Sequence, residues 1–165
     1  MEERIFSDLE GLRIAIEIEA RGQLFYQQAY EKAQKDEHKE TFLLLKNEEI
    51  HHQEKFVKIF NKINADKKAV SAEYDFDPET SRYLTVLAEE HIFPKQSAIP
   101  AKLDELTSID AILRLAIQAE KDSILFYDEL ANKAKFEDAK RIFASLKSEE
   151  QTHVVKLREM LEGWA

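Results

Sequence analysis

Glu49-Ile50-His51-His52 and Glu150-Gln151-Thr152-His153 each set a carboxylate three residues ahead of an imidazole, and the two copies are offset by 101 residues. Residues three apart share one face of a helix, so each pair can offer an oxygen and a nitrogen to one metal ion. A single copy means little, because 23 Glu and 5 His in 165 residues produce about 0.7 such pairs by chance. The offset raises the weight of the second copy. Sliding the chain by 101 without a gap aligns residues 12–52 with 113–153, and 17 of those 41 positions are identical. Among them is a lone glutamate in each half, Glu19 and Glu120, that precedes the motif glutamate by 30 residues (49 − 19 and 150 − 120). A repeat of this kind has to be read before any fold is assigned.

The repeat also sorts the candidates. Glu48 with His51 is another Glu-x-x-His, but Thr152 stands where the second half would need the histidine, and Glu17 is matched by Gln118. Glu48 and Glu149 are duplicated and lie four residues before a histidine, so helical spacing alone leaves them open. The metal set expected on these grounds is Glu19, Glu49, His52, Glu120, Glu150 and His153. Four carboxylates in one core would repel each other and protonate, whereas two divalent ions would balance them. Oxidation to two trivalent ions would leave positive charge to match an oxygen-derived anion. With no Cys in the chain, any metal must be held by carboxylate and imidazole, which suit iron, manganese or zinc alike.

Four helices must position these groups. The first opens at Ser7-Asp8-Leu9-Glu10, which has the form of a capping box, and carries the stripe Leu12, Ala15, Glu19, Gly22, Tyr26, Ala29, Ala33. Its counterpart is Leu113, Ala116, Glu120, Ser123, Tyr127, Leu130, Ala134. The motif helices carry Phe42, Leu45, Glu49, His52, Phe56, Ile59 and Phe143, Leu146, Glu150, His153, Leu157, Met160. This spacing favours Glu49 and Glu150 over Glu48 and Glu149, which fall to the flank of the stripe. Connections near 34–38 and 134–138 are short, so two antiparallel hairpins are expected, at 7–65 and 109–162. Residues 66–108 hold all three prolines and have no counterpart in the repeat. They form a long crossover with one short helix, opened by Asp77-Pro78 and ending before Pro94.

The composition narrows the class further. A chain of 165 residues with three Gly, three Pro and 44% hydrophobic residues fits a single all-α domain, 1–165. A net charge of -9 and a pI near 5.1 lack the basic surface that nucleic acid or anionic lipid requires. Neither partner is expected. The acidic start, Met1-Glu2-Glu3-Arg4, has no long apolar run behind it, so the reading is a cytoplasmic protein without signal or transmembrane segment.

Tyr26 and Tyr127 follow the lone glutamates by seven residues on the same face, where each can bond a ligand carboxylate or simply be buried with its hydroxyl satisfied. Gly22 and Ser123 leave space one turn beyond each lone glutamate. Phe25, Phe42, Phe126 and Phe143 are read as core packing, His38, His51 and His91 as surface or crossover residues, and Trp164 as packing the C-terminus.

At this point the residues resemble the ferritin-like di-iron carboxylate proteins, and among them the rubrerythrins. A glutamate from each of two helices plus a Glu-x-x-His from each of the others is the arrangement of that class. The resemblance implies a ferritin-like four-helix bundle and two iron ions per chain. It makes Glu19 and Glu120 terminal ligands, Glu49 and Glu150 bridging ligands, and His52 and His153 one nitrogen ligand per iron. It further implies that Glu48 bonds His153 and Glu149 bonds His52, orienting the rings. Two departures stand out. Rubrerythrins proper carry a four-cysteine rubredoxin domain, for which this sequence has no cysteine, and a further glutamate where Ser123 stands. Twelve residues follow His153, too few for the fifth helix of a ferritin, which argues against a storage cage.

The function expected is an oxidoreductase, most simply a homodimer, that reduces peroxide or dioxygen with electrons from a separate donor such as a rubredoxin. The alternatives are a non-catalytic iron-binding or storage protein with ferroxidase-like loading, and a metal-free structural bundle.

Overall fold

The computed structural model describes residues 4–90 and 92–163. The readings of His91 and Trp164, and of the first three residues, lie outside them. Four long helices carry the architecture: α1 (Asp8–Lys32), α2 (Asp36–Asn64), α5 (Ile109–Lys133) and α6 (Glu137–Glu162). Between them the crossover forms α3 (Pro78–Glu90) and α4 (Ile99–Glu105), with three short 3-10 turns. The described chain is all-helical and builds a ferritin-like bundle. No helix among the described residues is long and apolar enough to cross a membrane.

Helices α1 and α2 lie against each other along their lengths, as do α5 and α6, and contacts of α1 with α5 and α2 with α6 close the bundle. The turns within the hairpins are tighter than the sequence implies, residues 33–35 and 134–136. Every residue of the α1 and α5 stripes is buried, as is every residue of the α6 stripe. On α2 the buried stripe ends with Ile63 in place of Ile59, which is only partly covered near the open end of the hairpin. Phe25, Phe42, Phe126 and Phe143 are fully buried, His51 is exposed and His38 is half-buried.

Local chemistry sets the ends. Ser7 caps α1, its Oγ accepting from the Glu10 N–H at 3.3 Å. The reciprocal half of the capping box is not made, because the Glu10 carboxylate takes two bonds from Arg13, at 2.7 and 2.9 Å. Asp77 caps α3 through Thr80, accepting from its backbone N–H at 2.8 Å and its hydroxyl at 2.7 Å. Gly163 ends α6 in the left-handed region at φ 76°, which a glycine adopts without a Cβ clash.

The crossover holds more helix than the sequence reading allowed. A second short helix, α4, was not expected there; Pro100 sits in its first turn, where a missing N–H costs nothing. Asp8 makes a second connection invisible in the sequence. Its buried carboxylate accepts from the backbone N–H groups of Lys135 at 2.9 Å and Phe136 at 2.8 Å. This ties the start of α1 to the α5–α6 turn, at a helix start (α6) that has no side-chain cap from its own N-cap residue.

Candidate metal centre

Six charged or ionisable side chains meet at the middle of the bundle: Glu19 from α1, Glu49 and His52 from α2, Glu120 from α5, Glu150 and His153 from α6. All are at most 2% exposed. They form two groups, Glu19–Glu49–His52–Glu150 and Glu49–Glu120–Glu150–His153, each with ligand atoms mutually within 4.8 Å. Glu49 and Glu150 belong to both groups. Each group therefore has one private glutamate, one private histidine and the shared pair, and the two rings stack at 5.4 Å, only 10° from parallel.

Both imidazoles turn Nδ1 inward. His52 Nδ1 lies 2.9 Å from Glu150 Oε1 and 3.5 Å from Glu19 Oε2. His153 Nδ1 lies 3.1 Å from Glu150 Oε2, 3.2 Å from Glu49 Oε1 and 3.5 Å from Glu120 Oε1. Their outer nitrogens cross to the opposite motif helix, His52 Nε2 to Glu149 at 2.6 Å and His153 Nε2 to Glu48 at 2.5 Å. Glu48 and Glu149 thus stand outside the two groups, a third and two-fifths exposed. Lys55 and Lys156 in turn face those carboxylates, Lys55 to Glu149 at 3.3 Å and Lys156 to Glu48 at 3.8 Å. The sequence reading missed these lysines, although they too are 101 residues apart.

The tyrosines reach across the bundle. Tyr26 donates to Glu120 Oε1 at 2.5 Å and Tyr127 to Glu19 Oε1 at 2.7 Å, each linking one hairpin to the other. Burial, reinforced by the neighbouring carboxylates, pushes both phenols well above 10, so they remain donors. Each bond engages one oxygen of its glutamate and leaves the other, Oε2, without a partner. Ser123 takes no part, since its Oγ donates to the backbone carbonyl of Ala119 at 3.0 Å.

The charges are not independent. Burial, and then repulsion from the other carboxylates, pushes Glu49 and Glu150 well above 4.5. Glu120 goes the other way: burial works against its ionisation, but the proximity of Glu150, the nearby charge of His153 and the Tyr26 bond outweigh it. His52 is held up at about 10, since burial that opposes its charge is outweighed by its bond to Glu150 and by the nearby Glu19 carboxylate, and His153 is likewise raised by the carboxylates around it. Without metal, these shifts favour protons on Glu49, Glu150 and both imidazoles.

The donor set fits metal. Glu19 Oε2, Glu49 Oε1, Glu120 Oε2, Glu150 Oε2 and His153 Nδ1 are buried and lack any hydrogen-bond partner. Such atoms are costly to leave unpaired, and these five point into the two groups that share Glu49 and Glu150. Cations would satisfy them together.

Fold and site define the class, a ferritin-like bundle with a carboxylate and histidine cluster suited to binding metal. The Rubrerythrin family profile matches residues 10–161, so the chain belongs to the rubrerythrin family. Two solved structures agree. One, from Thermotoga maritima and described as a ferritin-like diiron-carboxylate protein, is 27% identical with a TM-score of 0.70, over 98% of both chains. The other, a hypothetical protein from Pyrococcus furiosus, is 28% identical with a TM-score of 0.69, over 95% of this chain and 89% of that one. No curated protein matches the sequence.

Proposed function

We propose that the chain holds two iron ions and reduces peroxide or dioxygen, working as a cytoplasmic homodimer re-reduced by a separate donor such as a rubredoxin. The observation that carries the reading is the set of five unpartnered buried donor atoms on two groups with a shared pair of carboxylates. Glu19 and His52 would hold one ion, Glu120 and His153 the other, and Glu49 and Glu150 both. Two ferrous ions held there would supply the two electrons that, with two protons, reduce hydrogen peroxide to two waters.

The protein's own part is positioning. Glu48 and Glu149 accept the Nε2–H of His153 and His52, which keeps the Nδ1 lone pairs facing inward once their protons are displaced. Tyr127 and Tyr26 pin one oxygen of Glu19 and Glu120 and so aim the free oxygen inward. Phe25, Phe42, Phe56 and Phe143, all fully buried, keep bulk water from this part of the core.

Stopped-flow mixing of the anaerobic di-ferrous protein with hydrogen peroxide tests the reading. Oxidation faster than that of free ferrous ion in the same buffer supports it, and an equal rate sinks it. Size-exclusion chromatography separates the homodimer from the cage that a storage function would need.

A further inference from the structure

The crossover meets the metal cluster through Phe93. Its ring is 1% exposed and lies against Phe25 at 5.2 Å and, nearly perpendicular, against Tyr26 at 5.7 Å. Gly22 admits it. A Cβ on Gly22 would lie 3.2 Å from Phe93 Cε2 and 2.9 Å from Glu49 Oε2, so the ring and a shared ligand carboxylate occupy one notch in α1. The repeat partner of Gly22 is Ser123, so only this half of the bundle has a glycine notch.

Phe93 also lines a surface cavity of about 830 Å³, together with Ile14, Arg21, Ile92, Gln118 and Ala119 among the described residues. The backbone carbonyl of Phe93 accepts from Arg21 Nη1 at 3.4 Å, while Arg21 Nη2 holds Glu17 at 2.7 Å. Phe93 therefore belongs to the wall of the open cavity, while its ring shares the Gly22 notch with the Glu49 carboxylate. The other approach, a cavity of about 690 Å³ lined by Glu48, His52 and Glu149, ends on the charged bonds to the imidazoles. Passage there breaks part-buried charge-assisted bonds to the imidazoles, whereas passage at Phe93 displaces an apolar ring and breaks no charged bond.

We propose that the 830 Å³ cavity is the vestibule for the oxidant, and that Phe93, seated on Gly22, is the gate that admits hydrogen peroxide or dioxygen and turns away larger hydroperoxides. The inference rests on the function proposed above. It adds a specificity-determining residue that touches no ligand hydrogen bond and a side from which the substrate arrives.

Two measurements on the full chain test it. In the iron-loaded protein, Phe93→Ala should raise the rate with tert-butyl hydroperoxide relative to hydrogen peroxide by about tenfold or more. An unchanged ratio in an active variant overturns the gate. Phe93→Leu, which keeps more of the packing, should move the ratio the same way and serves if the alanine variant does not fold. The second measurement needs no metal. Crystals of the variant under xenon should show an atom beside Gly22, in the space the ring leaves and continuous with the outer cavity, and the lack of one overturns the proposal. If iron-loaded wild type reacts with neither hydroperoxide, the proposed reaction fails while xenon still decides the path.

Discussion

Glu150→Gln separates metal binding from structural packing. In the metal-free protein burial and the charges of Glu120 and Glu19 raise the pKa of Glu150 well above 4.5 and so favour its neutral form. An amide of the same shape replaces that neutral group with little loss. The same side chain belongs to both groups of candidate ligands, so losing its charge would weaken both ions of the proposed site at once. A ligand at a hundred times its Kd adds about 2.7 kcal/mol to stability, hence about 5 kcal/mol for two ions. Unfolding entropy of about 2.1 cal/mol/K per residue gives about 0.35 kcal/mol/K for a chain of 165 residues. Saturating metal should therefore raise the Tm of wild type by about 15 °C. The variant should match wild type within about 3 °C without metal and lose most of the gain with it. Anaerobic thermal melts with and without ferrous or manganous ion read both numbers. A wild-type Tm indifferent to metal, or a variant that keeps the full gain, would refute the reasoning.

The metal-free protein should lose stability as pH climbs from about 6.5 towards 10. His52 is raised from 6.5 to about 10, so the stability it contributes is complete below 6.5 and disappears as pH passes through the raised value. Glu49 and Glu150, raised by burial and mutual repulsion, add to the same trend as they lose their protons. Metal competes for those protons, so its stabilisation should grow over the same rise; melts at about pH 6.5 and pH 8 that show the opposite trend exclude this charge arrangement. Glu48→Gln and Glu149→Gln should each lower metal affinity by about 10–100-fold while leaving the metal-free fold intact, since each carboxylate holds the outer nitrogen of one ring. Titration with manganese checks both, and unchanged affinity in the pair would deny them any part in orienting the histidines.

Much of the bundle was legible because helical periodicity is a local property. A core stripe read every three or four residues places Glu19, Gly22 and Tyr26 on one face of α1 whatever that face meets, and the observed burial follows it. The same rule set Glu49 apart from Glu48, since one step along a helix turns a side chain by about 100°. Repetition at 101 residues then supplied what a single motif lacks, and extending it three residues past His52 would have found Lys55 and Lys156. Helix α4 went unread because its seven residues are too few to show a periodic stripe.

Spacing along the chain therefore determined which residues gather in the core, how each faces its own helix, and that the core holds four carboxylates and two imidazoles. It could not determine partners. That Tyr26 bonds Glu120 and Tyr127 bonds Glu19 depends on how the hairpins lie against each other, across sequence separations of 94 and 108 residues. Which imidazole nitrogen turns inward was likewise decided by the carboxylates waiting on the opposite helix. Asp8 looked like any acidic residue in a first helical turn until the α5–α6 turn brought two N–H groups to it. Phe93 belongs to a crossover with no periodicity to read, and only the packed bundle shows its ring in the notch that Gly22 leaves. Local periodicity assigns a side chain to a face; the meeting of two faces is a property of the whole chain.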